Sequence, residues 1–178
     1  TFSPEFNISE TQSLGPFESN VVIIGPEPEA PSVCVIDSGI QEGHLLIAPA
    51  INSLESKCYI ENVNSTADQV RLTGHGTSVA GAILYPKEIP KTGNYNLDIR
   101  LINARILDDN NFIPKDKFCT TLINNIVQDY PSTKIFNLSV AEYASYLGTH
   151  MPETAAGLDK ISHDNEVLFV VSSGNIRE

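Results

Sequence analysis

Residues 74–84 read GHGTSVAGAIL, the most informative stretch of this sequence. A run of small apolar residues, stopped by Pro86, predicts a narrow helix that can be buried tightly. Gly74 and Gly76 let the backbone pass close to its neighbours, where a Cβ would block the approach. His75 lies in the first turn and is expected to project into a cleft. With a carboxylate on one ring nitrogen, its other nitrogen can accept a proton, so the stretch predicts a general base.

Strand-like and helical segments alternate along the chain around this helix. SVCVID (residues 32–37) is a continuous apolar run closed by a turn, as expected of a buried parallel strand. Further strands are predicted at 98–107, 134–140 and 166–175, with a short one at 57–63, and further helices at 114–131 and 152–165. The alternation predicts an α/β domain with a mostly parallel sheet flanked by helices, a doubly wound arrangement.

Residues 1–31 differ from the rest of the chain in composition. They are rich in Pro and Glu, and five prolines, at 4, 16, 26, 28 and 31, exclude a regular helix. We expect an extended lead-in there, in which VVIIG at 21–25 is compatible with a short strand. From Ser32 the sequence changes from Pro- and Glu-rich to apolar strand-like runs, so residues 32–178 are predicted to form the folded domain.

Charge and composition narrow the classes of partner. The net charge is −11, and 11 basic residues are scattered among 22 acidic ones, so no positive surface is expected to meet nucleic acid. No apolar run is long enough to span a membrane, which argues against a membrane partner. Three widely spaced cysteines do not suggest a disulfide framework, and they slightly favour a cytoplasmic location over an oxidising one.

Three polar residues are predicted to meet at one edge of the sheet. Asp37 ends the first core strand, Asn175 ends the last, and His75 opens the helix between them. In open α/β sheets, functional residues gather at the carboxyl ends of the strands. An acid, a base and an amide donor in this arrangement indicate acyl-transfer chemistry.

Four stretches in this order resemble the motifs of the subtilisin-like serine peptidases, the subtilases. VCVIDSGI (33–40) is similar to that family's aspartate motif, GHGTSVAG (74–81) to its histidine motif, and VVSSGN (170–175) to its oxyanion-asparagine motif. IFNLSV (135–140) is similar to the strand that pairs with substrate. The resemblance covers residues 32–178 and implies an incomplete subtilisin-like fold, with Asp before His before Ser in the chain.

The resemblance also implies a role for each matching residue in peptide-bond hydrolysis. Asp37 would orient His75, which would act as general base and then as general acid, and the Asn175 amide would donate to the oxyanion. The residues that would line the backbone of a peptide or protein substrate are Ser139, Val140, Ala141 and Gly174. No cofactor is implied.

Three departures from the family pattern bear on these expectations. The family's Gly-Thr-Ser-x-Ala-Pro motif does not occur, so the nucleophile is missing; Ser78, inside the histidine motif, is no substitute. The substrate strand reads Ser-Val-Ala where Ser-Leu-Gly is usual, so Ala141 would crowd that side. The histidine helix lacks the inserted loop that builds a calcium site in many secreted relatives, so no metal is expected. DSGIQEGHLLIAP (37–49) resembles the less studied bacterial subtilases more than the secreted ones.

Two hypotheses follow from the missing serine. In the first, the chain is the N-terminal part of an active serine endopeptidase and is inactive alone. An apolar groove would then be left where the serine helix packs, and the isolated chain would dimerise through it or be only marginally stable. In the second, the chain is a non-catalytic module that holds a peptide strand or a complementary subunit.

Overall fold

A computed structural model describes residues 21–70, 74–113, 119–140 and 151–172. Within these ranges the strands are β1 (Val21–Ile24), β2 (Ser32–Asp37), β3 (Lys57–Cys58), β4 (Gly93–Asn96), β5 (Arg100–Arg105), β6 (Ile135–Leu138) and β7 (Leu168–Val171). The helices are α1 (His75–Leu84), α2 (Cys119–Asp129) and α3 (Glu153–Asn165), with a short 3-10 helix at Ala48–Ala50. Three predicted site residues, Ala141, Gly174 and Asn175, lie outside the described residues.

The main sheet is parallel and has β2 near its centre. Its strand order is β3-β5-β2-β6-β7, and every described neighbour pair is parallel. The chain therefore builds outward from β2 on both sides, which is the doubly wound arrangement expected from the sequence. A separate two-stranded parallel sheet pairs β1 with β4.

Strand β2 is buried along its whole length because helices cover both of its faces. Cys34 and Ile36 belong to the core under α2 and α3. Val33 and Val35, which alternate with them, belong to the core under α1. This two-sided burial explains why β2 reads as a continuous apolar run rather than an alternating one.

Among the described residues, nothing covers the α1 face of the sheet over β7. Phe169 packs towards α2 and α3, with its ring centroid 5.8 Å from that of Phe136. The residues that alternate with it, Leu168 and Val170, are 59% and 47% exposed. These two side chains form an exposed apolar strip, which we call the open face of β7. The groove for a serine helix stays a prediction.

Most predicted elements are confirmed, with shorter bounds. Strand β5 ends at Arg105 because the next two amide groups both donate to the carbonyl oxygen of Asp37, where the regular ladder stops. Strand β3 has two residues instead of the seven predicted at 57–63, since the chain leaves the sheet and Asn62 takes a left-handed conformation (φ 61°). Strand β4 was not predicted at all.

The described residues hold no helix with the length and apolarity needed to cross a bilayer. All three cysteines lie in the described part of the chain and are free thiols.

Candidate active site

Asp37 is the last residue of β2 and lies at the carboxyl edge of the sheet. By alternation it shares the face of Val33 and Val35, the face that α1 covers. Its side chain is completely buried. The backbone N–H of Ser38 donates to Asp37 Oδ1 at 2.7 Å, and the Ser38 hydroxyl donates to the same oxygen at 3.1 Å.

His75 is the first residue of α1, and its ring reaches the Asp37 carboxylate. Nδ1 of His75 lies 2.8 Å from Oδ1 of Asp37, across 38 residues of sequence. A carboxylate only accepts hydrogen bonds, so Nδ1 carries the proton and Nε2 is the nitrogen left to act as a base. The His75 side chain is 39% exposed, so it can meet a substrate while Asp37 is shielded from water.

The two glycines around His75 have different tasks. Gly74 precedes the helix with φ 50° and ψ 51°, a left-handed conformation that glycine adopts without strain. Gly76 is a site of close approach: a Cβ there would overlap the carbonyl oxygen of Gly39 and lie 3.2 Å from Asp37 Cβ. The sequence predicted close approach at both positions, and the structure confirms it at Gly76.

Nearby acids favour the protonated form of His75. The hydrogen bond to Asp37 is the main cause that raises its pKa above the usual value. Partial burial of the ring opposes this, whereas the negative charges of Asp37 and Asp68 raise the pKa further. A raised pKa makes the imidazole a stronger base, as proton abstraction requires.

The two carboxylate oxygens of Asp37 differ in their hydrogen bonds. Asp37 Oδ2 is buried and has no hydrogen-bond partner among the described residues. Buried carboxylate oxygens normally have partners, because leaving one unpaired costs desolvation energy. Within the described part of the chain, the hydrogen bonds of this carboxylate therefore come from His75 and Ser38 alone.

The predicted substrate-lining residues are only partly described. Ser139 and Val140 follow β6, the strand next to β2, and both are half-buried. The Ser139 hydroxyl donates to Asn137 Oδ1 at 2.8 Å, which fixes the end of the strand. They lie at the same edge of the sheet as Asp37, and no hydrogen bond joins either of these two residues to the Asp37–His75 pair.

Sequence reasoning missed two charged residues that shape this edge. Asp68 is buried and accepts hydrogen bonds from the first turn of α1. Arg105, at the end of β5, is 1% exposed and donates to the carbonyl oxygens of Ser65 and Ala67. A local signal for Asp68 did exist: its Oδ1 accepts from the N–H of Val70, the spacing of an Asx-turn.

No metal centre accompanies the pair in the ranges that the structure describes. They hold no group of three or more His, Cys, Asp or Glu side chains placed to bind an ion. In the acidic turn at 108–111, one carboxylate oxygen is engaged by backbone groups of the same turn. Asp108 Oδ1 accepts from the N–H groups of Asn110 and Phe112, both at 2.9 Å.

Comparison with known proteins connects this geometry to a family. The model of the subtilase family matches residues 29–178, which is most of the chain. A search of curated proteins finds no match.

Solved structures share the fold at low sequence identity. A cold adapted subtilisin-like serine proteinase matches with a TM-score of 0.54 and 17% identity, over 88% of this chain and 48% of its own. A lanthipeptide protease matches with a TM-score of 0.56 and 21% identity, over 82% and 39%. The Aeromonas sobria serine protease, solved in complex with the chaperone ORF2, matches with a TM-score of 0.60 and 18% identity, over 85% and 25%.

The chain therefore spans between a quarter and about half of the length of these relatives. Its parallel sheet, the order of its motifs and the family match over residues 29–178 agree with one another. The 178-residue chain belongs to the subtilase family.

Proposed function

We propose that this chain carries the acid–base part of a subtilisin-type serine endopeptidase. The observation that supports this most strongly is the 2.8 Å contact between the buried Asp37 carboxylate and the half-exposed imidazole of His75. The His75 side chain is 39% exposed although its partner acid is fully buried, which is the arrangement that a general base needs to meet a substrate. Membership of the subtilase family supports a serine hydrolase as the parent protein.

In this proposal the proton moves through Nε2 of His75. That nitrogen takes the proton from the attacking serine hydroxyl and later gives it to the leaving amine. Asp37 holds the ring in the tautomer with the proton on Nδ1 and stabilises the imidazolium that forms. The side-chain amide of Asn175 donates to the oxyanion of the tetrahedral intermediate.

The substrate is a peptide or protein that lies beside the end of β6. Ser139, Val140 and Ala141 would pair with its backbone as an added strand, and Gly174 would also contact the substrate. Ser139 and Val140 follow β6 directly, at the carboxyl edge where Asp37 also lies. In this proposal Ala141, where the family usually has glycine, would crowd the substrate on this side.

The nucleophile is proposed to come from outside these 178 residues. The sequence has no Gly-Thr-Ser-x-Ala-Pro motif, and Ser38 is committed to the buried side of Asp37, where its hydroxyl donates to Oδ1. We therefore propose that the 178 residues alone do not hydrolyse peptides. Removing the nucleophile of such a triad leaves only binding and oxyanion effects.

The test begins with the coding sequence downstream of the codon for Glu178. A Gly-Thr-Ser-x-Ala-Pro motif within roughly a hundred codons is the expected finding, and a longer product that includes it should react with a fluorophosphonate probe. The 178-residue chain should not react, and His75→Gln in the longer product should abolish labelling. A stop codon directly after Glu178 would overturn the hydrolase proposal for this chain.

The open face of β7 favours a second candidate function. Leu168 and Val170 form an exposed apolar strip that a complementary subunit or peptide strand could cover. A non-catalytic module of this kind would bind a peptide without cleaving it. Tight binding of an intact peptide by the purified chain, together with the stop codon, would support this alternative.

A further inference from the structure

We propose that Asp68 is a positioning residue of the same site: its carboxylate fixes the first turn of α1, and with it the His75 ring, and places a second negative charge beside the Asp37–His75 pair. This inference rests on the proposed function, because it assigns Asp68 a part in preparing His75 as a base. Asp68 lies outside the motifs that identify the family.

Asp68 caps the helix that carries His75. Its carboxylate is buried, and Oδ2 accepts from the backbone N–H of Thr77 at 3.2 Å and from the Thr77 hydroxyl at 3.3 Å. Thr77 is the third residue of α1, so its N–H has no partner within the helix. A side-chain carboxylate at this place satisfies that donor and interacts favourably with the positive end of the helix.

The same carboxylate belongs to a network that reaches the loop after Asp37. The backbone N–H of Gln41 donates to the Thr77 hydroxyl at 2.9 Å, and the Gln41 side-chain amide donates to the carbonyl oxygen of Asp68 at 2.6 Å. Asp68 is therefore hydrogen-bonded both to the helix that carries His75, through Thr77, and to the loop that follows Asp37, through Gln41. A shift of α1 relative to β2 would break several of these hydrogen bonds at once.

The Asp68 carboxylate is held close enough to Asp37 for their charges to interact. Burial raises the pKa of Asp68, and the charge of Asp37 raises it further. Hydrogen bonds from the backbone N–H groups of Thr77 and Val70 lower the pKa, since they stabilise the ionised form. The Ser38 hydroxyl donates to Asp37 Oδ1 and accepts from the N–H of Gly76 at 3.1 Å, so Ser38 connects the Asp37 carboxylate to the first turn of α1.

Both acids favour the protonated state of His75. Among the described residues, the charged groups that act on the ring are Asp37, at the end of β2, and Asp68, in the loop before α1. Asp37 contributes a hydrogen bond and its charge, whereas Asp68 contributes charge alone. Asp68 thereby raises the affinity of Nε2 for a proton without occupying the cleft.

The experiment measures the pKa of His75 by NMR titration of its ring resonances in the 178-residue chain. His75→Gln assigns the resonance, and His44, His150 and His163 serve as internal references. Asp68→Asn keeps an acceptor for Thr77 but removes the charge, so we expect a lower pKa for His75. Thr77→Val is the matched control: it removes the hydroxyl contact but keeps the backbone N–H contact and the charge of Asp68, so the pKa of His75 should fall less than in Asp68→Asn. An equal fall in the two variants would contradict the role of the charge.

The possible outcomes separate this inference from the proposed function. An unchanged pKa for His75 in Asp68→Asn overturns the role of Asp68, while a lower value in Asp37→Asn leaves the proposed function intact. An unchanged pKa in Asp37→Asn contradicts the proposed function itself.

If Asp68→Asn does not fold, the Asp68 carboxyl resonance is titrated in the natural chain and in His75→Gln. The pKa of Asp68 should rise when the imidazolium is removed, and no change would overturn the inference.

Discussion

Asp37 and Arg105 are in-register partners across β2 and β5, but their side chains are bound to different parts of the molecule. Arg105 donates to the carbonyl oxygens of Ser65 and Ala67 at 3.1 and 3.0 Å, and Asp37 accepts from Ser38 and His75. A guanidinium paired with Asp37 would compete with His75 for its carboxylate. Because Arg105 is occupied elsewhere, Asp37 remains available to the imidazole.

Replacement of Arg105 should destabilise the chain strongly. Arg105→Met would leave the carbonyl oxygens of Ser65 and Ala67 without their buried donor, and we expect a loss of roughly 3 kcal/mol in the free energy of unfolding. Chemical denaturation measures this. Asp109→Asn is the control: Asp109 pairs with Arg105 but is 70% exposed, so the loss should be below about 1 kcal/mol. Equal losses in the two variants would contradict this account.

The contribution of His75 to stability should depend on pH with a definite sign. Its pKa is raised in the folded chain above the value of about 6.5 expected in the unfolded chain. The stabilisation is therefore fully present below that pH and is lost as the pH rises through the folded pKa. Denaturation of the natural chain and of His75→Gln at about pH 6 and pH 9 should show a larger difference at pH 6. A difference that grows towards pH 9 would refute the sign.

Gly76→Ala should be far more damaging than another Gly-to-Ala change in the same region. A Cβ at position 76 would collide with the backbone carbonyl of Gly39, which cannot move without shifting the turn after Asp37. We expect a loss of about 2 kcal/mol or more in the free energy of unfolding. Gly43→Ala, where a Cβ meets nothing within 4 Å, should change it by less than about 0.5 kcal/mol.

The open face of β7 should drive self-association of the isolated chain. Leu168 and Val170 are apolar, exposed and at the edge of the sheet, so a second copy can bury them. We expect a dimer by light scattering at micromolar concentration, and Val170→Lys should convert it to a monomer.

The matched control for this experiment is Leu54→Lys. Leu54 is 94% exposed and far from β7 in the sequence, so its replacement should leave the dimer intact. A natural chain that is monomeric and melts at the temperature of an ordinary stable domain would show that the open face needs no cover.

The Asp37–His75 pair was predictable because local signals position both residues. SVCVID is recognisable as a buried strand, so its last residue falls at the carboxyl edge, and the small residues after His75 indicate a helix that can pack against that strand. Neither inference required knowledge of a distant contact. The contact itself spans 38 residues, but both of its ends are fixed locally.

The role of Asp68 was not predictable for the opposite reason. Its partners are Thr77, nine residues ahead, and Gln41, 27 residues behind, and no periodic pattern connects the three. Strand β4 shows the same limit: GNYN contains one large apolar residue and becomes a strand only because β1 lies beside it. Such pairings are set by tertiary packing, which overrides local propensity.

The central position of β2 also makes the site depend on contacts between distant parts of the sequence. Ser32 pairs with Arg100 and Val33 with Ile135, so both neighbours of the first core strand come from much later in the chain. Contacts of such long sequence separation are slow to form, because the closure of a large loop precedes any gain. Unless β5 and β6 are both paired with β2, Asp37 has no sheet around it and its carboxylate is in contact with water. The environment that raises the pKa of His75 is therefore complete only when contacts between distant parts of the sequence have formed.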